Sequence, residues 1–129
     1  MIEQLIVEIK IQSFCNHENI VKLYDCFDDQ DHLYLLLEHM SDGTLFDQLK
    51  KSKVLTEIQT SSIVKQVAQG VKYLHDHGIA HRDIKPENIV MNSGVGKLCD
   101  FGWAAICNER RRTYCGTFDY AAPEILEGS

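Results

Sequence analysis

Residues 81–88 read His-Arg-Asp-Ile-Lys-Pro-Glu-Asn, and a short spacer separates them from Asp-Phe-Gly at residues 100–102. Asn88 and Asp100 offer oxygen ligands of the kind that Mg²⁺ prefers, and Asp83 is a candidate general base. Taken alone, each of these residues is more often a turn former or a cap. Their combined spacing predicts a site that handles magnesium ions and protons, as phosphoryl transfer requires.

The size and composition of the chain fit a single domain, with 129 residues of which 44% are hydrophobic. The net charge of −6 argues against a general nucleic-acid or membrane-surface binder, because both need basic surface. We therefore expect no nucleic-acid partner and no membrane partner. The five cysteines include no Cys-x-x-Cys pair, so we expect buried, reduced thiols rather than a zinc site or a disulfide framework.

Periodicity and turn residues predict an alternation of helices and short strands. A helix is predicted over residues 2–14, and strands over residues 20–27 and 33–38. Two further helices are predicted to begin at capping boxes, and a hairpin is predicted to turn around residues 92–94. The supporting residues are the first helix's stripe Ile2, Leu5, Ile6 and Ile9, the caps Thr44 with Asp47 and Thr56 with Gln59, and the stripe Ile63, Val67, Val71 and Leu74 that ends before Gly78.

A third segment, residues 116–124, reads Gly-Thr-Phe-Asp-Tyr-Ala-Ala-Pro-Glu. In order and spacing, the three segments resemble the catalytic loop, the magnesium loop and the end of the activation segment of eukaryotic-type Ser/Thr protein kinases. The resemblance implies an α+β, protein-kinase-like two-lobed fold that is truncated at both ends.

The resemblance also divides the chain. Residues 1–38 correspond to part of the N-lobe (helix C and strands four and five), and residues 39–43 to the hinge. Residues 44–129 correspond to part of the C-lobe, with helices D and E, the catalytic loop and the activation segment. Residues 1–129 include neither the family's Gly-rich loop and strand lysine nor the helices that complete its C-lobe. We therefore expect a fragment or a truncated gene product.

The resemblance also implies roles for individual residues. Asp83 is expected to accept the proton of the substrate hydroxyl, Lys85 to put positive charge on the transferred phosphate, and Thr117 to position the substrate. Lys85 also favours Ser/Thr over Tyr substrates. Asn88 and Asp100 are the expected metal ligands. The implied cofactor-binding set is Glu38, Met40, Val90, Lys85, Glu87, Asn88 and Asp100, with the backbones of the first two at the adenine edge and Val90 under the ring.

A regulatory site is also implied. Thr113 follows three arginines at residues 110–112, and a phosphate there would add a charge of about −1.5 to −2. Arg82 and Arg111 are the expected receivers of that phosphate, although a solvated basic run with an incidental threonine is the alternative. Glu8 resembles the helix C glutamate that pairs with the strand lysine in the family, and the alternative is a solvated helix glutamate.

Four further features narrow the resemblance to one group of protein kinases: Gln12, Asp-Phe-Gly-Trp at 100–103, Arg-Arg-x-Tyr-Cys-Gly-Thr at 111–117, and Asp-Tyr at 119–120. With these features the chain looks most like the Aurora family. Ala122 and Val7 depart from that family's pattern, which has a second proline and an arginine there. Polo-like, calcium/calmodulin-type and nucleotide-regulated basophilic kinases stay open as alternatives.

The function implied by the resemblance is ATP-dependent phosphoryl transfer to Ser/Thr hydroxyls of proteins, with ATP and Mg²⁺ as cofactors. The expected partners are protein substrates and an activating protein, in the cytoplasm or nucleus, at the spindle or centrosome if the chain is Aurora-like. Because the main triphosphate clamps are missing, we expect this fragment alone to be weak or inactive. The alternative is a non-catalytic remnant that acts as a binding module or has no function. A small-molecule phosphotransferase is disfavoured, because that class lacks the Ala-Pro-Glu ending.

Overall fold

The structure is a computed structural model that describes residues 2–102, 104–106 and 120–127. Its elements follow in the order α1 (Ile2–Phe14), β1 (Leu23–Asp28), β2 (Leu33–Leu37), α2 (Leu45–Ser52), α3 (Glu57–Asp76), β3 (Ile79–Ala80), a 3₁₀ turn (Pro86–Asn88), β4 (Ile89–Asn92), β5 (Val95–Leu98), β6 (Ala105–Ile106) and α4 (Pro123–Leu126). The strands form antiparallel two-stranded sheets, β1–β2, β3–β6 and β4–β5. None of the described helices is long and apolar enough to cross a membrane.

Helix α1 has the predicted bounds, but two residues of its predicted apolar stripe are exposed. Leu5 and Ile6 are 38% and 45% exposed. The core contains instead Ile11 and Cys15, with Val7 packed against it. These three residues are spaced four apart and therefore share one helix face. Which face of α1 is buried depends on the elements that pack against it. The apolar pattern of the helix alone does not identify those elements.

The first predicted strand begins later than expected. Ile20 makes a single parallel bridge to Leu98, and the Val21 amide donates to the Leu98 carbonyl at 2.9 Å. Regular pairing with β2 starts only at Leu23. Residues 20–21 therefore pair with Leu98 at the end of β5 rather than with the β1–β2 hairpin.

Helices α2 and α3 begin at the predicted capping boxes. Thr44 and Thr56 accept from the amides of Asp47 and Gln59, whose side chains return a bond to the cap amides. Gly70 on α3 lies against the loop before β1, since a Cβ there would be 3.0 Å from the Asn19 carbonyl oxygen.

The core joins α1, α3 and the β4–β5 hairpin. That hairpin turns at residues 93–94, as predicted, with Val90 opposite Lys97 and Ile89 opposite Leu98. Phe101, Leu74 and Leu98 have no exposed surface. The buried apolar cluster consists of Ile11, Cys15, Ile20, Leu45, Ile63, Leu74, Ile79, Ile89, Met91, Leu98, Phe101 and Ala104.

Candidate functional site

The loop between β3 and the 3₁₀ turn carries Asp83 and is closed by Asn88. Both side chains are buried. The amide nitrogen Nδ2 of Asn88 donates to the Asp83 carbonyl at 2.9 Å and to Asp83 Oδ2 at 3.1 Å. Lys85 Nζ lies 3.7 Å from the same carboxylate oxygen. Three of the predicted site residues, Asp83, Lys85 and Asn88, therefore meet around one carboxylate.

His81 connects this loop to the start of the segment that carries Asp100. Its Nδ1 accepts from the Asp83 amide at 3.2 Å, and its Nε2 lies 2.9 Å from the Cys99 carbonyl. Since a carbonyl only accepts, this pair of contacts requires the neutral ring with hydrogen on Nε2. Burial lowers the pKa of His81, which keeps the ring neutral. The ring also packs 5.1 Å from that of Phe101, measured between centroids.

The segment 99–104 brings Asp100 beside the loop. The Cys99 amide donates to the Asn88 carbonyl at 3.0 Å, so Asp100 follows directly after a residue bonded to Asn88. Asp100 has a φ of 56°, an uncommon conformation for a residue with a side chain. Its Oδ1 accepts from the Gly102 amide at 3.1 Å, and the residue is exposed while Asp83 and Asn88 are buried.

Helix α1 reaches the same segment from the other side. Gln4 Nε2 donates to the Gly102 carbonyl at 2.8 Å and lies 3.4 Å from the Ala104 carbonyl. One turn further along, Glu8 has a raised pKa because of burial and the negative charge of Asp100. Glu8 Oε2 would lie 4.0 Å from a Cβ atom added at Gly102, so Glu8 lies beside the segment that carries Asp100. The contact of Gln4 was not predicted from the sequence.

The predicted adenine-contacting residues lie at the connection between β2 and α2. Glu38 Oε2 lies 2.6 Å from Lys97 Nζ, and Glu38 Oε1 accepts from the Lys22 amide at 3.2 Å. Val90 bridges to Thr44, and the Met91 amide donates to the Gly43 carbonyl at 2.8 Å. The strand that carries Val90 therefore pairs with the end of the segment that contains Glu38 and Met40. Met40 and Val90 are both half-buried.

Asn88 and Asp100 form a donor set that fits Mg²⁺. With its Nδ2 turned toward Asp83, Asn88 can present only its amide oxygen to a cation. The exposed carboxylate of Asp100 retains oxygen lone pairs beyond its bond to Gly102. Among the described residues, no group of three or more His, Cys, Asp or Glu side chains is arranged to hold a metal ion by itself. A cation held here would take its remaining ligands from phosphate and water, which is the usual mode for Mg²⁺.

Two further predicted site residues, Arg82 and Glu87, lie in the same 81–88 loop. Arg82 is half-buried, with a φ of 70°. Glu87 lies in the 3₁₀ turn, and its buried Oε1 has no hydrogen-bond partner among the described residues. Arg111, Thr113 and Thr117 lie outside the described residues.

The comparison with known proteins assigns the chain to a family. The family model described as the protein kinase domain matches residues 1–129, and the chain belongs to the protein kinase family. The predicted family and the predicted α+β kinase fold are therefore confirmed.

Three proteins with similar sequences are Aurora kinases, which form one group within the protein kinase family. The chain is 42% identical to Aurora kinase B of Mus musculus over 127 residues, which are 97% of this chain and 37% of that protein. It is 43% identical over 125 residues to the serine/threonine-protein kinase Aurora-1 of Arabidopsis thaliana, covering 96% and 42%. It is 45% identical over 123 residues to the Aurora kinase of Schizosaccharomyces pombe, covering 94% and 35%. The predicted resemblance to the Aurora family of Ser/Thr kinases is therefore confirmed. The chain spans between 35% and 42% of the length of these three curated relatives.

Proposed function

We propose that this chain carries the catalytic and metal-binding side of an ATP-dependent Ser/Thr protein kinase. The observation that carries the proposal is the bond from Asn88 Nδ2 to Asp83 Oδ2 at 3.1 Å, in a loop that His81 and Cys99 tie to Asp100. This arrangement holds a base and two oxygen ligands on adjoining backbone segments. Phosphoryl transfer needs such positioning more than covalent chemistry.

The predicted site residues have different roles in the reaction. Asp83 accepts the proton of a Ser or Thr hydroxyl, and the Asn88 amide holds its carboxylate in place. Lys85 neutralises charge on the transferred phosphoryl group. Asn88 and Asp100 would hold Mg²⁺, which would supply positive charge to the phosphates of ATP. The backbones of Glu38 and Met40 would contact the adenine edge, with Val90 on one side of the ring.

Binding of Mg·ATP by the 129-residue chain is the first test. Calorimetry should detect weak, Mg²⁺-dependent binding that Asp100→Asn abolishes. The matched control is Asp76→Asn, because Asp76 is an exposed aspartate paired with Lys72 on α3. Binding that is equally strong without Mg²⁺, or that Asp100→Asn leaves unchanged, would remove Asp100 from the metal site. A complete absence of binding would favour the alternative, a non-catalytic module.

The role of Asp83 is tested by phosphoryl transfer. In a longer chain that adds a Gly-rich loop and a strand lysine upstream, Asp83→Asn should lower kcat for a Ser/Thr peptide by about 10²–10⁴-fold, the usual contribution of a positioned base. Affinity for Mg·ATP should change little. An unaltered kcat would exclude Asp83 as the base.

We also propose a phosphorylation switch at Thr113, with Arg82 and Arg111 as receivers. The adjacent arginine run supports it, because a phosphate gains strong charge-assisted hydrogen bonds from arginine. In the longer chain, Thr113→Ala should lower activity, and mass mapping should find phosphate on Thr113 of the active wild type. Equal activity of the two forms would refute the switch.

A further inference from the structure

The carboxylate of Glu38 connects two strands that are distant in the sequence. Glu38 directly follows β2, and its own amide donates to the Lys22 carbonyl at 2.8 Å. Its carboxylate accepts from the Lys22 amide at 3.2 Å and from Lys97 Nζ at 2.6 Å. Lys97 lies in the middle of β5, 59 residues further along the chain. The ion pair therefore joins the beginning of the 38–43 segment to the β4–β5 hairpin.

The same hairpin also holds the other end of that segment. The Met91 amide donates to the Gly43 carbonyl at 2.8 Å, and the Asp42 amide donates to the Met91 carbonyl at 3.1 Å. Residues 38–43 are thus attached to the hairpin by a backbone ladder at one end and by a side-chain ion pair at the other. Without the ion pair, the bonds described for Glu38 would be those to the backbone of Lys22.

The register of the hairpin brings Lys97 next to Val90. The two residues are directly opposite each other in the antiparallel pair, so their side chains project from the same face of the sheet. Because Lys97 Nζ on this face reaches the Glu38 carboxylate at 2.6 Å, the face looks toward the start of the 38–43 segment. The stem of Lys97 therefore crosses the face that carries Val90 before its ammonium reaches Glu38.

The surroundings of the ion pair favour a defined geometry. The side chains of Lys97 and Glu38 are only 15% and 23% exposed, whereas those of the equally short Lys72–Asp76 pair on α3 are 74% and 58% exposed. Burial alone would raise the pKa of Glu38, but the bonds from Lys97 and the Lys22 amide outweigh it and lower that pKa. The carboxylate is therefore ionised at neutral pH, and solvent screens the pair less than it screens an exposed pair.

We propose that Lys97 is a positioning residue for the adenine pocket, which it serves by holding Glu38, and with it the backbone of residues 38–40, at a fixed distance from Val90. The proposal rests on the nucleotide site described under Proposed function. Lys97 itself contacts neither the base nor the phosphates in this role. A purine would be held between the 38–40 backbone and Val90, so the ion pair fixes the spacing of that pocket.

The test uses Lys97→Met in the 129-residue chain, with Lys72→Met as the matched control. The control breaks an ion pair of the same length and removes the same charge, away from the hairpin. Amide hydrogen exchange of Glu38, whose amide donates to the Lys22 carbonyl, should become about tenfold faster in Lys97→Met, which corresponds to about 1.4 kcal/mol, and should not change in Lys72→Met. Exchange within β1–β2 should be unaffected in both variants.

Ligand binding separates positioning from a general structural effect. Affinities for adenosine and for Mg·ATP should fall by the same factor in Lys97→Met, about fivefold to tenfold, because only the adenine contact is disturbed. The Mg²⁺ dependence of ATP binding should stay as in wild type. Lys97→Arg should retain wild-type affinity, and the exchanged pair Glu38→Lys with Lys97→Glu should recover part of it. If Lys97→Met does not fold, Glu38→Gln removes the ion pair with a smaller change in shape and takes its place.

Two results would overturn the proposal. The first is unchanged exchange of the Glu38 amide in Lys97→Met, since the start of the segment would then be held without the ion pair. The second is a loss of ATP affinity without a loss of adenosine affinity, which would assign Lys97 to the phosphates. If the wild type binds neither ligand, the proposed nucleotide function fails separately, and hydrogen exchange alone decides whether Lys97 positions the segment.

Discussion

Replacing Asn88 with leucine removes the donor that holds Asp83 and keeps a side chain of similar size. Asn88 Nδ2 makes one bond to the Asp83 carboxylate and one to the Asp83 carbonyl. A hydrogen bond to a charged group contributes about 1.5–3 kcal/mol, and a neutral one about 0.5–1.5 kcal/mol. We therefore expect Asn88→Leu to lower the free energy of unfolding by about 2–4 kcal/mol.

Urea unfolding followed by far-UV circular dichroism measures this loss. The matched control is Asn92→Leu, the same change at the end of β4, where the Asn92 amide oxygen accepts from Ser41 and Ser93 at the exposed surface. The control should lose less than about 1 kcal/mol, because exposed bonds exchange readily with water. Equal losses in the two variants would refute the claim that Asn88 organises the buried loop.

Asn88→Asp tests the effect of a negative charge at the same position. It keeps the shape but turns the donor into a second carboxylate facing Asp83, and two like charges in one site repel. Its stability deficit should exceed that of Asn88→Leu at pH 7 and shrink as the pH falls toward 4, because a shared proton restores a donor. A deficit that does not depend on pH would show that the two groups do not face each other.

Further predictions concern the core and the pH dependence. Gly70→Ala should destabilise the chain by about 1–3 kcal/mol in urea unfolding despite the better helix propensity of alanine, because its Cβ would press on the Asn19 carbonyl; a stabilised variant would contradict this. Since burial lowers the pKa of His81, the unfolded chain binds a proton below about pH 6.5 that the native state excludes. The free energy of unfolding should therefore fall as the pH drops below that value, and less steeply in His81→Gln than in the exposed control His75→Gln; identical slopes would exclude His81 as the cause.

Features determined by neighbouring residues in the sequence could be predicted. The capping boxes at Thr44 and Thr56 need only a partner three residues away, and both are present in the structure. The β4–β5 hairpin follows from its turn residues in the same way. The association of Asp83 with Asn88 also lies within one short loop, which the spacing of the motif already indicated.

Features determined by distant partners could not be predicted. The bond from Gln4 to Gly102 joins residues 98 positions apart, and a surface glutamine on a helix gives no signal for it. The pair of Glu38 with Lys97 is similar, since alternating patterns identify a strand but not the charge it meets. The exposure of Leu5 and Ile6 on α1 could not be predicted for the same reason. Both residues are apolar, but the elements that pack against α1 leave them exposed.

We propose that Asp83, Asn88 and Asp100 converge on divalent cations that bind together with the phosphates of a nucleotide. Paramagnetic broadening by Mn²⁺ with a non-hydrolysable ATP analogue, read from amide resonances of the 129-residue chain, tests it most directly. We predict that the amides of these three residues broaden first, and only when the nucleotide is present. Broadening centred on the acidic turn at residues 28–31, or independent of nucleotide, would contradict the claim.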